Sequence, residues 1–357
     1  MKQSFWEGKR VFVTGHSGFM GGWLSLTLTE FGAKVFGFSL PPPTEPNFFT
    51  LVRLGERLHS TEGDVRNADD LLRAVERAQP EIIFHLAAQP LVRASYDAPV
   101  ETYATNVMGT VHILEAARRV GSVRAIVNVT SDKCYENREW VLGYRETDAM
   151  GGFDPYSSSK GCSEIVTGAY RRSFFAGERP LGLASVRAGN VIGGGDWATD
   201  RLIPDFIRAL TAGNPLRIRS PHAIRPWQHV LEPVWAYLLL AEKLCSEPAA
   251  YSDGWNIGPA EGDAKPVEWI VDRICSLWGE TAKWELDGKP HPHEAHYLKL
   301  DCSKARHELG WSPRWTLEQC LEHLVHWYRS WLAGRDMRDV SLEQLRQFIG
   351  ATYVEKV

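Results

Sequence analysis

A chain of 357 residues with 44% apolar and 24% charged side chains has ordinary globular composition, and it is long enough that two lobes sharing an interface are expected. A formal charge of −4, with basic residues spread rather than blocked, offers no general attraction to nucleic acid or to an acidic membrane surface. The Met1–Glu7 segment has no apolar signal region, no apolar run reaches membrane-spanning length, and six scattered cysteines form no C-x-x-C pair, so a reduced cytoplasmic protein is expected.

In chain order, Val11–Thr14 is a β-branched apolar run that ends in a glycine turn. Trp23–Phe31 then carries helical spacing, and Lys34–Phe38 is a second apolar run. Strand, turn, helix and strand make a βαβ unit. The alternation continues with helix Ala68–Ala78, strand Ile82–Ala87, helix Tyr103–Val120, strand Ala125–Thr130, helix Ser157–Ala176 and strand Leu183–Arg187. Such alternation predicts an α/β fold built on a doubly wound, parallel Rossmann sheet. Beyond Arg187 the chain becomes richer in Pro, His and Trp, with helices near Pro204–Ala212, Pro233–Cys245, Pro266–Trp278 and Leu317–Trp331. Residues 1–188 therefore read as a dinucleotide-binding domain and 189–357 mainly as a smaller α/β substrate lobe, with about 226–257 rejoining the sheet.

Gly15-His16-Ser17-Gly18-Phe19-Met20-Gly21 follows the first strand and opens the first helix. Backbone N–H groups at such a helix start cradle a pyrophosphate, and side chains there would block its approach. Gly15, Ser17, Gly18, Phe19, Met20 and Gly21 are accordingly the expected cofactor cradle. The second strand ends Phe38-Ser39, with neither the acid that would accept from a ribose 2′-hydroxyl nor an arginine for a 2′-phosphate. NAD against NADP is thus weakly decided by these residues. Asp64-Val65 and Leu86-Ala87-Ala88-Gln89 sit where strands release chain at the cofactor edge, though ordinary helix–strand packing would also use such residues.

Tyr156-Ser157-Ser158-Ser159-Lys160 places a tyrosine and a lysine on one helix face. A free phenol has a pKa near ~10, and a neighbouring ammonium favours the phenolate. Such a tyrosine can take a proton from a hydroxyl while hydride leaves the same carbon.

Together with Asn106, Thr130–Tyr135, Asn190, Arg225-Pro226-Trp227, Trp255–Gly258 and Leu309-Gly310-Trp311-Ser312-Pro313, these motifs resemble the extended short-chain dehydrogenase/reductase family over nearly the whole chain. The resemblance implies NAD as cofactor, with Asn106, Tyr156 and Lys160 joining its site. It also implies a nucleotide-sugar substrate and a reaction that begins with oxidation of a sugar hydroxyl. The family includes 4-epimerases, 4,6-dehydratases, decarboxylases and reductases, so the residues beside the oxidised carbon decide the outcome. Where 4,6-dehydratases carry Thr-Asp-Glu, this chain reads Ser131-Asp132-Lys133.

Once C4 is a ketone the C5 proton is acidic, and a base there together with an acid at the C6 oxygen expels water. Asp132 can be that acid if burial raises its pKa, and Lys133 that base if its pKa is lowered. The plainer alternative is an ion pair that caps the strand end. Epimerisation at C4 needs neither group. Asn190, Asp196, Trp197, Arg201, Arg225 and Trp227 are the substrate contacts the resemblance implies, Arg225 for the diphosphate. It implies also a homodimer through a four-helix interface, and favours cytidine over other bases on likeness alone. His291, His293 and His296 lack a completing ligand in a proline-broken segment, so no metal is expected.

Overall fold

The structure is a computed structural model that describes residues 2–177, 180–279, 282–288 and 297–350. The segment holding His291, His293 and His296 lies outside the described residues. Seven strands, β1 (Arg10–Thr14), β2 (Lys34–Ser39), β3 (His59–Glu62), β4 (Ile82–His85), β5 (Ala125–Val129), β6 (Gly182–Ala188) and β10 (Gly254–Ile257), form one sheet ordered β10-β6-β5-β4-β1-β2-β3. Every pairing in it is parallel. The doubly wound Rossmann sheet is therefore as expected, and β10 joins it from far along the chain.

Alternate side chains of each strand go to opposite faces, and the core divides accordingly. Val11, Val13, Phe84 and Val127 pack against the helices Phe19–Glu30 and Leu231–Ser246, while Phe12, Ile83 and Ile126 pack against Ala68–Ala78 and Gly109–Arg119. The helix Leu231–Ser246 is apolar on nearly every side because it lies between the sheet and the C-terminal helices Leu317–Leu332 and Met337–Gly350.

Three local features depart from the expected elements. Strand β3 has all four residues exposed and carries no apolar pattern, which is why periodicity gives it no bounds. The expected helix Tyr103–Val120 is a short helix Pro99–Tyr103, a π-turn Ala104–Met108 and a helix Gly109–Arg119. Finally, Met337–Gly350 adds a terminal helix that burial alone explains, with Val340, Leu345 and Phe348 in the core.

Smaller sheets built from β7 (Asn190–Ile192), β9 (Ile224–His229) and β11 (Ala264–Pro266), and from β8 (Leu216–Ile218) and β12 (Trp284–Leu286), lie in the later half of the chain. The chain runs β1-β2-β3 to one side and then returns to lay β4 beside β1, so β1 and β4 flank the point where strand order reverses. Ligands of open α/β sheets bind at the carboxyl ends of such a pair.

Candidate active site

A cavity of about 920 Å³ opens at those carboxyl ends and extends under the later half of the chain. It is lined by Gly15, Ser17, Gly18, Phe19, Met20, Gly21, Asp64, Val65 and Leu86–Gln89, by Ser131, Asp132, Lys133, Tyr156 and Lys160, and by Asn190, Asp196, Trp197, Arg201, Arg225 and Trp227.

The glycine turn is built for close approach. Gly15 has φ +74°, and a Cβ there would lie 2.8 Å from the Ala87 nitrogen; one at Gly21 would lie 2.1 Å from the Gly15 oxygen. Thr14 ties the ends of the neighbouring strands β1 and β4 together, its Oγ accepting from the Leu86 and Ala87 amides at 3.1 and 3.2 Å. Gly18 differs from its neighbours, because a Cβ there meets nothing closer than 3.4 Å. The protein needs no glycine at that point; an incoming ligand would. Gly18 also heads the helix Phe19–Glu30 without any side-chain cap, leaving the first amides turned to the cavity end. Such a donor set fits a dinucleotide pyrophosphate.

Ser39, at the end of β2, donates to Ser17 Oγ at 2.8 Å and pairs with His16 Nδ1 at 3.1 Å. His16 Nε2 meets Ser60 Oγ at 2.7 Å, and burial lowers its pKa to about 4. A neutral hydroxyl and imidazole network thus occupies the place of the missing acid. Asn106 is brought to the cofactor edge only indirectly. It is buried outside the cavity lining, accepts from the Gln89 amide at 2.8 Å, and donates to the Gln89 carbonyl and to Ser159 Oγ. It holds the Gln89 backbone rather than facing the cavity, and the π-turn is where it does so.

Asp154 caps the helix Pro155–Ser173 by accepting from the Ser157 amide and hydroxyl, which sets Tyr156 in the first turn, facing the cavity. Burial pushes the Tyr156 phenol up to about 12, with the Ser131 hydroxyl and Arg201 acting the other way. The expected lowering by Lys160 is not what the free protein has: Lys160 Nζ instead donates to the Val129 carbonyl at 3.2 Å, and burial lowers its own pKa to about 8. Asp132 is 3% exposed, accepts from Ser131 Oγ at 3.1 Å through Oδ1, and has no partner for Oδ2. Its pKa is raised by burial, against the pull of Lys133, the Ser131 hydroxyl and Arg225. No ion pair between Asp132 and Lys133 forms among the described contacts, while the Lys133 amide donates to Ser131 Oγ at 3.2 Å.

Asp196 binds Arg201 at 3.0 Å, and its carbonyl accepts from Tyr328 at 2.7 Å, so the C-terminal helix braces this wall. Trp227 donates to the Lys265 carbonyl at 3.0 Å and Arg225 to the Ile224 carbonyl at 2.9 Å. Sequence reasoning missed a buried group behind the site, Glu164 with Arg187 at 2.8 Å. The one local signal for it is that Glu164 follows Lys160 by one helical turn.

The family described as GDP-mannose 4,6 dehydratase matches residues 12–324. The chain belongs to this family, within the extended short-chain dehydrogenase/reductases. It is 56% identical to CDP-glucose 4,6-dehydratase of Salmonella typhimurium over 98% of this chain and 99% of that protein. Among solved structures it is similar to MoeE5 in complex with UDP-glucose and NAD, with TM-score 0.74 and 27% identity over 91% of this chain and all of that one (100%). It also shares the fold of dTDP-glucose 4,6-dehydratase from Bacillus anthracis in complex with NAD, with TM-score 0.74, 22% identity and coverage of 90% and 96%.

Proposed function

We propose that the protein is a CDP-glucose 4,6-dehydratase, a lyase that converts CDP-D-glucose to CDP-4-dehydro-6-deoxy-D-glucose and water with NAD. The observation that carries the reading is the 56% identity, over nearly the full length of both chains, to CDP-glucose 4,6-dehydratase. NAD is the cofactor bound in the similar solved structures, the Gly15–Gly21 cradle fits its pyrophosphate, and when bound it would accept hydride from C4 of the sugar and return it to C6.

The protein's own groups handle the protons. Tyr156 Oη takes the proton of the C4 hydroxyl, with the Arg201 charge and the Ser131 hydroxyl favouring its phenolate and Lys160 four residues along the same helix face. Lys133 Nζ removes the C5 proton, exchanges with solvent and later returns a proton to C5, and Asp132 gives a proton to the departing C6 oxygen. The proton gained at Tyr156 equals the one spent at Asp132, and the Ser131 hydroxyl neighbours both. A relay through Ser131 therefore closes the cycle without a net proton from solvent. Arg225 and Arg201 hold the diphosphate and nucleotide end, with Asn190, Asp196, Trp197 and Trp227 shaping it. Residues 1–188 with about 226–257 form the cofactor unit, and the remainder the substrate lobe.

We take the working assembly to be a homodimer, because Val100, Tyr103, Met108 and Ile165 stay exposed on the helical face beside the site. A monomeric mass by light scattering at micromolar concentration would refute that assembly. No described helix is long and apolar enough to cross a membrane, and we place the enzyme in the cytoplasm with its unpaired cysteines. The activity is tested by incubating the protein with CDP-, dTDP-, GDP- and UDP-glucose and NAD or NADP in deuterated water, followed by NMR. A 4-keto-6-deoxy sugar labelled at C5, formed fastest from CDP-glucose, is the expected product. A C4 epimer without exchange at C5 would make the protein an epimerase instead.

A further inference from the structure

Glu164 lies on the same helix face as Tyr156 and Lys160, two turns and one turn further along. It is 6% exposed and Arg187 is 5% exposed, so a carboxylate and a guanidinium are both withdrawn from water there. Burying such a pair opposes folding through desolvation, and an apolar pair of similar volume would serve packing at least as well. What the pair does that an apolar one would not is visible in its bonds. Glu164 Oε1 accepts from the Thr130 hydroxyl, and Oε2 accepts from Ser185 Oγ at 2.6 Å and Arg187 Nη2 at 2.8 Å. Arg187 Nη1 in turn donates to Tyr135 Oη at 2.7 Å, and the Tyr135 hydroxyl donates to Asn256 at 2.7 Å.

Thr130 and Tyr135 are the two ends of the loop that carries Ser131, Asp132 and Lys133. Its far end is seated on the helix as well: a Cβ at Gly161 would lie 2.6 Å from the Gly151 oxygen and 3.2 Å from the Cys134 oxygen, so the loop backbone at Cys134 packs close against the helix. We propose that Glu164 is a positioning residue that fixes the register between two halves of the active site, holding the Ser131–Lys133 loop against the helix that carries Tyr156 and Lys160. The proposal rests on the dehydratase reading above, in which the helix pair performs oxidation and the loop performs elimination. The register matters because the oxidised sugar does not move between the two steps, so the C4 and C5–C6 groups must be served from fixed places.

The signature of a register device is uncoupling. In Glu164→Gln the amide keeps one acceptor for Thr130 but loses the charge that binds Arg187; in Thr130→Val the hydroxyl that reaches Glu164 is replaced by a methyl group of similar size. Both variants are expected to lower kcat at least tenfold with KM for CDP-glucose within about twofold. Both are also expected to accumulate reduced cofactor, read as absorbance at 340 nm in a single turnover, because oxidation outruns a misplaced elimination. Glu164→Asp, which keeps the charge, is expected to recover part of kcat. Normal kcat per folded molecule in both variants, with only a lowered Tm, would overturn the proposal, as would a loss confined to KM. Wild-type enzyme in the same assay separates the two readings: if it makes no 4-keto-6-deoxy product, the dehydratase reading fails, whereas an active wild type with unaffected variants sinks the register role alone.

Discussion

Ser39 Oγ donates to Ser17 Oγ across 2.8 Å, so the residue that ends β2 is spent on the glycine turn itself. An acid in that place would instead accept from the cofactor's ribose and repel a 2′-phosphate. The expected consequence is loose and poorly discriminating dinucleotide binding, with NAD and NADP dissociation constants within roughly tenfold. Ser39→Asp is expected to favour NAD by a further ten- to hundredfold, about the worth of one charged hydrogen bond at 1.5–3 kcal/mol. Quenching of tryptophan fluorescence by each dinucleotide measures both values. A wild type that already rejects NADP a thousandfold would show that something other than Ser39 reads the ribose.

Gly18 and Gly21 make a contrasted pair of probes for the cradle. A methyl at Gly21 collides with the Gly15 carbonyl, whereas one at Gly18 finds its nearest protein atom at 3.4 Å. Gly18→Ala is therefore expected to change stability by less than about 1 kcal/mol, as cap substitutions from glycine do. It should still weaken NAD binding tenfold or more, since the methyl occupies the pyrophosphate's path. Unchanged NAD affinity in Gly18→Ala by calorimetry would move the pyrophosphate away from this turn.

How much of this was legible in the sequence follows from how local each signal is. The glycine turn and Tyr156–Lys160 are spacings within one turn or one helix, and both arrived where spacing put them, at the sheet's carboxyl edge. Strand β3 was invisible because His59–Glu62 are all exposed and polar, with no apolar alternation to mark a strand. Asn106 was legible as belonging near the cofactor but not as a brace for Gln89, since that bond spans 17 residues. The Glu164–Arg187 pair joins a helix to β6 across 23 residues, and no pattern along the chain announces such a partner. The direction of the Tyr156 shift was also beyond reach, because burial rather than a charged neighbour decides it.

In the proposed mechanism Asp132 and Lys133 divide the elimination between them, and single substitutions separate their parts. Asp132→Asn keeps the shape and removes the carboxyl that burial biases toward its protonated form. It is expected to lower kcat by about 10²–10⁴-fold, the usual worth of a general acid, while reduced cofactor builds up after normal C4 oxidation. Lys133→Ala is expected to stop deuterium exchange at C5 in deuterated water. Water loss at the wild-type rate in Lys133→Ala, followed by NMR, would remove lysine as the C5 base.

Glu232 gives the fold a pH dependence that is independent of the chemistry. Its Oε1 accepts from the Arg314 and Trp315 amides at 2.9 and 2.8 Å, pinning the start of the C-terminal helices, while Oε2 is buried without a partner. Burial raises its pKa from 4.5 to about 8, with the two amides opposing. The folded protein therefore holds a proton there that the unfolded chain releases above 4.5, so the stabilisation is complete below pH 4.5 and is lost as pH rises to 8. A shift of this size corresponds to on the order of 5 kcal/mol across that window, at 1.36 kcal/mol per unit. Glu232→Gln keeps an acceptor for the two amides and removes the ionisation. Urea unfolding of both proteins is expected to show the variant gaining on the wild type between pH 5 and pH 8.5, with other titrating groups cancelling in the difference. A difference that stays flat over that range would mean Glu232 is ionised in the folded protein and paired by the Arg314 guanidinium, which lies over the Trp235 ring at 4.3 Å.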